Sequence, residues 1–185
     1  MILLDDPLWN ELQYAEGCAI KIPPILRSLQ AAVAEDGAVD LEAVGHVGEI
    51  CHQWSTYDAT YATLPHLTSI CGSALPDNAT RLILLKLYGW ASACLRLNKT
   101  PAPQHLIDAF ESSILPTREL IRESLGRVEA GTHLRPLLRA LAVCMGDAEL
   151  GLVMYELYDG TFYCDDCGAL IQPMRTGFNP FRDST

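Results

Sequence analysis

The clearest chemical signal in the sequence is a Cys-x-x-Cys-Gly segment near its end. Cys164 and Cys167 stand on either side of two aspartates, and Gly168 follows them. Two thiolates on a tight turn form half of a tetrahedral zinc site. The segment therefore predicts a structural zinc ion, held by Cys164 and Cys167, if further ligands complete the site. Candidate completing ligands are Cys144, His133, Asp165 or Asp166, or a second copy of the chain.

Two other interpretations of this cysteine segment stay open. The segment can be a tight turn that holds no metal, or it can be a redox-active cysteine pair. Redox-active pairs of the thioredoxin type open a helix after a strand, whereas here the second cysteine precedes glycine. That difference makes the redox interpretation the weaker of the two.

A second candidate for chemistry is the adjacent pair Cys51-His52. Neighbouring residues on a helix point about 100° apart, so these two side chains would not pair with each other. A base would have to come from His66 or Asp58 on the next helix. The competing interpretation places Cys51 in the core and gives His52 a hydrogen bond between helices. We predict that the chain is not an enzyme, and a thiol enzyme or hydrolase using Cys51, His52 and His66 is the runner-up.

Aromatic residues gather close to the Cys51-His52 pair. Trp54, Tyr57 and Tyr61 fall around one predicted turn between two helices. Such residues can simply pack the two helices together. They can also form the edge of a partner-binding surface, because tryptophan and tyrosine are enriched at the centres of protein interfaces.

The charge of the chain is acidic and unevenly placed. Thirteen basic and 23 acidic residues give a formal charge of −10. This disfavours binding to nucleic acid or to an anionic membrane surface, since both need clustered lysine and arginine. Residues 1–80 carry −9, residues 81–145 carry +4 and residues 146–185 carry −5. The acidic flanks predict contact with a basic partner protein, and a solvated surface is the alternative.

The predicted partner-contact residues combine the polar and aromatic segment after Cys51 with acidic side chains of both flanks. They are Glu49, His52, Gln53, Trp54, Tyr57, Asp58, Asp147, Glu149, Glu156, Asp159, Asp165 and Asp166.

The start of the chain and its cysteine usage predict a cytoplasmic protein. Residues 1–6 have no basic region and only a short apolar run, unlike a secretory signal. The longest apolar stretch, 82–95, falls short of the roughly 18 residues of a membrane span and contains Lys86. Seven cysteines, an odd number that lies mostly in apolar segments, are typical of reduced thiols. We expect a monomer or a homodimer.

The elements that must position these residues are helical. Apolar residues recur at helical spacing almost throughout, which predicts an all-α fold of eight or nine helices in antiparallel pairs. Asp40 is a predicted N-cap, and Pro116 is expected to separate two helices. The predicted helices cover about 7–17, 19–34, 40–54, 57–71, 76–97, 106–114, 120–125, 134–145 and 148–157.

The pattern of residue types changes from helical to strand-like after Gly160. Strand-forming residues at 161–163 and 169–171 flank the cysteine turn and predict a small hairpin. We therefore divide the chain into a helical domain, 1–158, and a knuckle with its tail, 159–185.

Two helical pairs resemble each other, and their prolines Pro24 and Pro65 are 41 residues apart. A period of about 40–47 residues with two helices per unit is typical of HEAT-type solenoids. In such units each helix pair buries its apolar face only against its neighbours, and the ends need a polar cover. The knuckle would supply that cover at the C-terminal end.

The two units resemble a family of bacterial HEAT-like proteins. The family's first unit reads Tyr-x-x-Gly-x-Ala-x-x-x-Pro-x-x-Leu, and its second begins His-Gln-x-x-x-Tyr-x-Ala and continues to Pro-x-Leu. The family often ends in a Cys-x-x-Cys-Gly knuckle, which Cys164, Cys167 and Gly168 match. Trp54 stands where the family usually has glycine. The other matching residues are Tyr14, Gly17, Ala19, Pro23 or Pro24, and Leu26, then His52, Gln53, Tyr57, Ala59, Pro65 and Leu67.

The resemblance implies a helical protein-binding scaffold without catalytic residues, and some similar small proteins act as immunity partners of bacterial toxins. From it we expect an immunity or antitoxin-type protein that neutralises a basic toxin by occlusion. The alternative within the binding class is a general adaptor that has no toxin partner.

Overall fold

The chain folds mostly into helices, as its periodicity predicts. A computed structural model describes residues 1–34, 39–128 and 133–152, together with the backbone of two short strands beyond them. The helices are α1 (Ile22–Ala34), α2 (Leu41–Gly48), α3 (Asp58–Gly72), α4 (Ala79–Asn98), α5 (Gln104–Leu125) and α6 (Leu134–Cys144), and residues 148–152 are also helical. Two short 3₁₀ helices cover Pro7–Asn10 and Ala19–Lys21.

Three pairs of two-residue strands complete the described structure. The strands are β1 (Gln13–Tyr14), β2 (Gly17–Cys18), β3 (Cys51–His52), β4 (Ser55–Thr56), β5 (Phe162–Tyr163) and β6 (Leu170–Ile171). Each odd-numbered strand pairs antiparallel with the strand that follows it. The last pair confirms the strand-and-return prediction around the cysteine turn. The turn itself, with Cys164 and Cys167, lies outside the described residues.

Helix α3 lies at the centre of the described fold. It packs against α1, α4 and α5, while α4 and α5 both pack against α6. Residues 59–67 of α3 are buried without interruption, because a helix with neighbours on several sides has no face left for solvent. The HEAT-like stacking of helix pairs stays a proposal, since these contacts establish a helical fold without deciding the repeat arrangement.

One predicted N-cap and three predicted helix prolines can be compared with the structure. The Asp40 side chain accepts a hydrogen bond from the Ala43 amide at 2.9 Å, which confirms it as the N-cap of α2. Pro23 and Pro24 occupy the first turn of α1, so they delay its start instead of kinking it. Pro65 lies inside α3, as predicted.

Two predicted helices are wrong around residues 13–18 and 51–56. The predicted first helix shortens to Pro7–Asn10 and is followed by a β-hairpin, which we call hairpin 1 (residues 13–18). The predicted third helix ends at Gly48, and a second β-hairpin follows, which we call hairpin 2 (residues 51–56). Strands of two residues are too short for the alternation of apolar and polar residues to reveal them.

The predicted break at Pro116 is also wrong, because α5 continues through this residue. Proline removes the hydrogen bond to the carbonyl four residues earlier, which here belongs to Ser112. Ser112 and Pro116 are both exposed, so water can satisfy that carbonyl.

The two hairpins do not follow the 41-residue spacing of the prolines. The hairpins begin at Gln13 and Cys51, which are 38 residues apart, and each hairpin leads into a long helix. Pro24 lies in the first turn of α1, whereas Pro65 lies in the middle of α3. The two prolines are therefore not equivalent positions, and the repeated unit is a hairpin followed by a helix.

In the part of the chain that the structure describes, no helix combines the length and the apolar character needed to cross a membrane.

The N-terminal segment is fastened to α3 by a buried histidine. His66 Nε2 lies 3.1 Å from the Ile2 carbonyl oxygen, and the His66 ring packs against Trp9. Trp9 in turn donates its indole N–H to the Leu3 carbonyl. Burial lowers the pKa of His66, and the nearby terminal ammonium acts in the same direction. The neutral imidazole is therefore the form that fits this site.

We expect this histidine to make the fold sensitive to mild acid. In the unfolded chain a histidine titrates near pH 6.5. Because the folded pKa is lower, the contribution of His66 to stability is complete above about pH 6.5 and is lost as the pH falls below it. Urea unfolding of the wild type and His66→Gln at pH 7.5 and 5.5 measures this. A decrease in unfolding free energy that is equal in both proteins would rule out His66 as its source.

Candidate functional site

The two hairpins lie next to each other, so residues far apart in sequence share one surface. The Ala15 amide, in the turn of hairpin 1, donates to the Glu49 carbonyl at 3.4 Å. The Gln13 amide donates to the Asp58 carboxylate at 2.7 Å. Hairpin 1 therefore lies beside the residues that enter and leave hairpin 2. We call the shared patch the hairpin surface; it comprises Gln13, Glu16, Glu49, His52, Gln53, Trp54 and Asp58.

The turn of hairpin 2 has an unusual backbone. Gln53 and Trp54, its two central residues, have φ angles of 47° and 71°. Two-residue turns with positive φ at both positions match the twist of the strands, and glycine or asparagine usually occupies them. A bulky residue such as tryptophan is rare in this region, and each such residue costs about 1–3 kcal/mol. Surrounding contacts must therefore hold Trp54 in place.

Those contacts come from α4. The Trp54 ring packs on Trp90 with ring centroids 4.3 Å apart and a tilt of 57°. The Asn98 side-chain amide donates to the Trp54 carbonyl oxygen and also reaches the Thr56 hydroxyl. Even so, 44% of Trp54 stays exposed. The turn thus holds a large apolar ring at the tip of a hairpin, partly covered and partly open to solvent.

Carboxylates lie on hairpin 1 and at the open end of hairpin 2. His52 Nδ1 lies 2.6 Å from the Glu49 carboxylate, on the exposed side of β3. On hairpin 1, Glu16 accepts a hydrogen bond from the Tyr14 hydroxyl, which lowers the pKa of the Glu16 carboxyl. Burial, together with this hydrogen bond, raises the pKa of Tyr14 to about 12. Glu16 is consequently ionised at neutral pH, with Lys21 at 3.6 Å as its basic neighbour.

Relationship to known proteins does not assign a role to this surface. No family model, curated protein or solved structure matches the chain. What the surface can do is therefore argued from its own side chains.

The structure separates the predicted aromatic group into two roles. Tyr61 is buried, donates its hydroxyl to the Thr100 carbonyl at 3.1 Å and packs edge-on against Phe110. Tyr57 is half-buried at the N-cap of α3. Helix packing thus explains Tyr61, whereas Trp54 is the most exposed aromatic side chain of this group.

The thiol-enzyme constellation is not assembled in the structure. Cys51 and His52 lie on β3, where successive side chains point to opposite faces, so Cys51 is buried and His52 is exposed. His66 contacts the Ile2 carbonyl, and Asp58 accepts the amide of Gln13. Interaction with Cys94 and burial both raise the pKa of the Cys51 thiol. These arrangements disfavour a Cys51 nucleophile that is activated by either histidine.

The acidic candidates on the C-terminal side form a different group. Asp147 is exposed and accepts a hydrogen bond from the Leu150 amide at 2.8 Å, so it caps the helical residues 148–152. Glu149 is exposed on the same segment. The other predicted residues of this flank lie outside the described part of the chain: Glu156, Asp159, Asp165 and Asp166, with the zinc candidates Cys164 and Cys167.

Metal-ligating side chains do not cluster within residues 1–34, 39–128 and 133–152. Of the predicted completing ligands in these ranges, Cys144 is buried, and burial raises the pKa of its thiol to about 12. His133 is half-buried beside α6, and burial lowers its pKa. The zinc prediction depends on the cysteine turn and remains a prediction.

The predicted partner-contact residues include those in and beside hairpin 2 but none of hairpin 1. Gln13 and Glu16 join the surface because hairpin 1 packs beside Glu49 and Asp58. The one sequence signal for hairpin 1 is Gly17, because glycine is the residue that most readily adopts a positive φ in a tight turn. In the structure its φ is 106°.

Proposed function

We propose that this chain is a non-enzymatic protein-binding scaffold that holds a basic partner protein against the hairpin surface. The observation that carries the proposal is the exposed Trp54 ring on a strained turn. Tryptophan is among the residue types that most often dominate binding energy in protein interfaces. The Trp54 ring is also held in advance of binding, so little conformational freedom would be lost when a partner covers it.

Charge favours a basic partner over an acidic one. Glu16, Glu49 and Asp58 bring three carboxylates to the same patch. They belong to the segment 1–80, which carries −9. A surface of one sign attracts a partner of the opposite sign over about a Debye length, roughly 8 Å at physiological salt. The attraction speeds encounter, while the buried ring determines how long the complex lasts.

Within the binding class, we propose an immunity or antitoxin-type role, in which the partner is a basic toxin that is neutralised by occlusion. The resemblance of the Tyr-x-x-Gly and His-Gln units to the bacterial HEAT-like family supports this narrower role, as does the acidity of the hairpin surface. A general adaptor would use the same surface with a partner that is not toxic.

The substitution Trp54→Gly tests the surface without damaging the turn. Glycine accepts the positive φ that tryptophan adopts under strain, so we expect the variant to fold. Loss of a central tryptophan typically costs 2 kcal/mol or more, so we expect partner affinity to fall by about 30-fold or more. The measurement is affinity capture from the source organism with the wild type and with Trp54→Gly as bait, followed by titration of the protein that differs.

Two charge variants test whether the carboxylates of the hairpin surface attract the partner. The triple variant Glu16→Gln, Glu49→Gln, Asp58→Asn should slow association and reduce its salt dependence. The control removes three charges from α5 instead, through Asp108→Asn, Glu111→Gln and Glu119→Gln.

Retention of the same proteins by the wild type and Trp54→Gly would refute the proposal. A retained partner that is basic but harmless would favour the adaptor.

A further inference from the structure

Hairpin 2 lies along one face of α4, and its contacts recur with the helical repeat. Trp90 carries the Trp54 ring, and Asn98 holds the Trp54 carbonyl and the Thr56 hydroxyl. These two helix residues are eight positions apart, so they lie on the same face two turns apart. Cys94 lies midway between them. We expect Cys94 to contact the residue of β3 whose side chain points into the protein.

That residue is Cys51. It lies on the buried face of β3, with 7% of its surface exposed, and Cys94 is 2% exposed. Helix α4 packs against β3 itself, so both buried cysteines lie where hairpin 2 meets this helix. Hydrogen bonding with Cys51 lowers the pKa of the Cys94 thiol, and the same interaction raises that of Cys51. Cys94 is therefore the thiol of the pair that forms a thiolate first.

The other cysteines of the described ranges have different neighbours. Cys71 lies 3.8 Å from the Arg81 carbonyl oxygen, and Cys18 lies 3.1 Å from the Asn10 carbonyl oxygen. Burial raises the pKa of both Cys71 and Cys144 to about 12, so neither is a ready nucleophile at neutral pH. These residues supply matched controls for the Cys51–Cys94 pair.

We propose that Cys51 and Cys94 form a reversible redox site, which closes to a disulfide when a hydroperoxide oxidises it. Both thiols are free in the structure described here, which is thus the reduced form. The bond would join hairpin 2 covalently to α4 beneath the Trp54–Trp90 contact. The inference needs no partner protein and does not depend on the proposed function.

The oxidation balances with hydrogen peroxide as the oxidant. The Cys94 thiolate attacks one peroxide oxygen, the O–O bond breaks, and a sulfenic acid forms as hydroxide leaves. The Cys51 sulfur then attacks the sulfenic sulfur and expels a second hydroxide, which forms the S–S bond. The two thiol protons convert the two hydroxides to water. The thiols lose two electrons and the peroxide gains them, and a dithiol reductant reverses the bond.

The disulfide also has a structural consequence at the hairpin surface. An S–S bond is about 2.05 Å long, which is shorter than any contact between two separate thiols. The Cys51 and Cys94 side chains must therefore move toward each other when the bond forms, which changes the packing between hairpin 2 and α4. The Trp54 turn lies between the two strands of this hairpin, so oxidation should alter the environment of its ring. Tryptophan fluorescence provides a signal for that change.

The test is disulfide mapping of the full chain after treatment with hydrogen peroxide. A Cys164→Ser, Cys167→Ser background removes the other cysteine pair. Free thiols are blocked under denaturing conditions, and peptides are identified by mass spectrometry before and after reduction. We expect one linked pair, Cys51 with Cys94, and reduction should restore both thiols. Cys71 and Cys144 should stay open to alkylation in the same samples.

Variants give a second, independent readout. Cys94→Ser and Cys51→Ser should abolish both the linked peptide and the fluorescence change, whereas Cys71→Ser should preserve them. The mapping on the serine background does not depend on whether these variants fold. Thiols that disappear from Cys51 and Cys94 without a linked peptide would overturn the proposal. Linkage of Cys51 or Cys94 to another cysteine to an equal extent would overturn it as well.

Discussion

Substituting alanine for Gly89 is expected to destabilise the fold by about 2–3 kcal/mol, because it inserts a methyl group where two helices touch. Gly89 is buried on α4 and faces Ala140 of α6. A Cβ atom built at Gly89 would overlap both the Cβ and the Cα atoms of Ala140. Part of this obstacle is backbone, so no side-chain rotation can relieve it and the helices must separate. Equilibrium unfolding in urea measures the loss.

Two further variants show whether the close approach is the cause. Gly45 lies in α2, and a Cβ atom there would meet nothing within 4 Å, so Gly45→Ala should stabilise the protein by up to about 1 kcal/mol through helix propensity. Ala140→Gly opens space opposite Gly89, so the double variant should recover part of the loss. Additive effects of Gly89→Ala and Ala140→Gly would show that the two positions do not press on each other.

The long helices could be predicted from the sequence because burial and periodicity agree in them. The periodicity predicts a helix at about 57–71, and α3 covers Asp58–Gly72; it predicts another at about 76–97, and α4 covers Ala79–Asn98. Prolines were harder to interpret. Pro116 removes a hydrogen bond in any helix, but the consequence depends on whether the freed carbonyl can reach water, and the sequence does not contain that information.

The hairpins could not be predicted, because their decisive feature is backbone conformation that the residue types do not favour. Asn-Gly or Asp-Gly would indicate a two-residue turn with positive φ. In hairpin 2 the two central turn residues are instead Gln53 and Trp54. The stabilising contacts come from Trp90 and Asn98, more than 30 positions along the chain. Tertiary contacts have thus overridden local preference at the residues we place in the partner surface.

The candidate site was predictable as a segment but not as a surface. The types of residue around His52 and Trp54 pointed to this region, and the charge pattern pointed to the acidic N-terminal part. That Glu16 and Asp58 lie on one patch follows from the contact between the two hairpins. The pairing of Cys51 with Cys94 likewise depends on where hairpin 2 rests on α4. A single sequence gives no distances between such segments.

Arg81 is a buried charged residue whose side chain joins several elements of the fold. It is 2% exposed on α4, and its guanidinium donates to the Ala74 carbonyl, the Leu120 carbonyl and the Glu123 carboxylate at 2.8–2.9 Å. The Ala74 carbonyl belongs to the connection between α3 and α4, and the other two acceptors belong to α5. Arg81 therefore ties this connection to α5, which packs against α3.

We expect Arg81→Ala to lower the free energy of unfolding by about 3–5 kcal/mol, the range found when a large buried side chain is truncated to alanine. The loss has two sources: a cavity at a fully buried position, and a connection carbonyl that loses its donor. Arg81→Met fills much of the space but restores no hydrogen bond, so it should recover only the cavity part. Urea unfolding of the three proteins separates the two sources.

The matched control for Arg81 is its own ion-pair partner. Glu123 is 58% exposed, so water screens its attraction to Arg81, and Glu123→Gln should cost less than about 1 kcal/mol. If the ion pair were instead what holds α4 to α5, the two substitutions would cost similar amounts. A large effect of Arg81→Ala with a small effect of Glu123→Gln places the stabilisation in the bonds to the two backbone carbonyls. In that case the buried arginine acts mainly as a multiple hydrogen-bond donor to main chain that would otherwise be left unpaired in the interior.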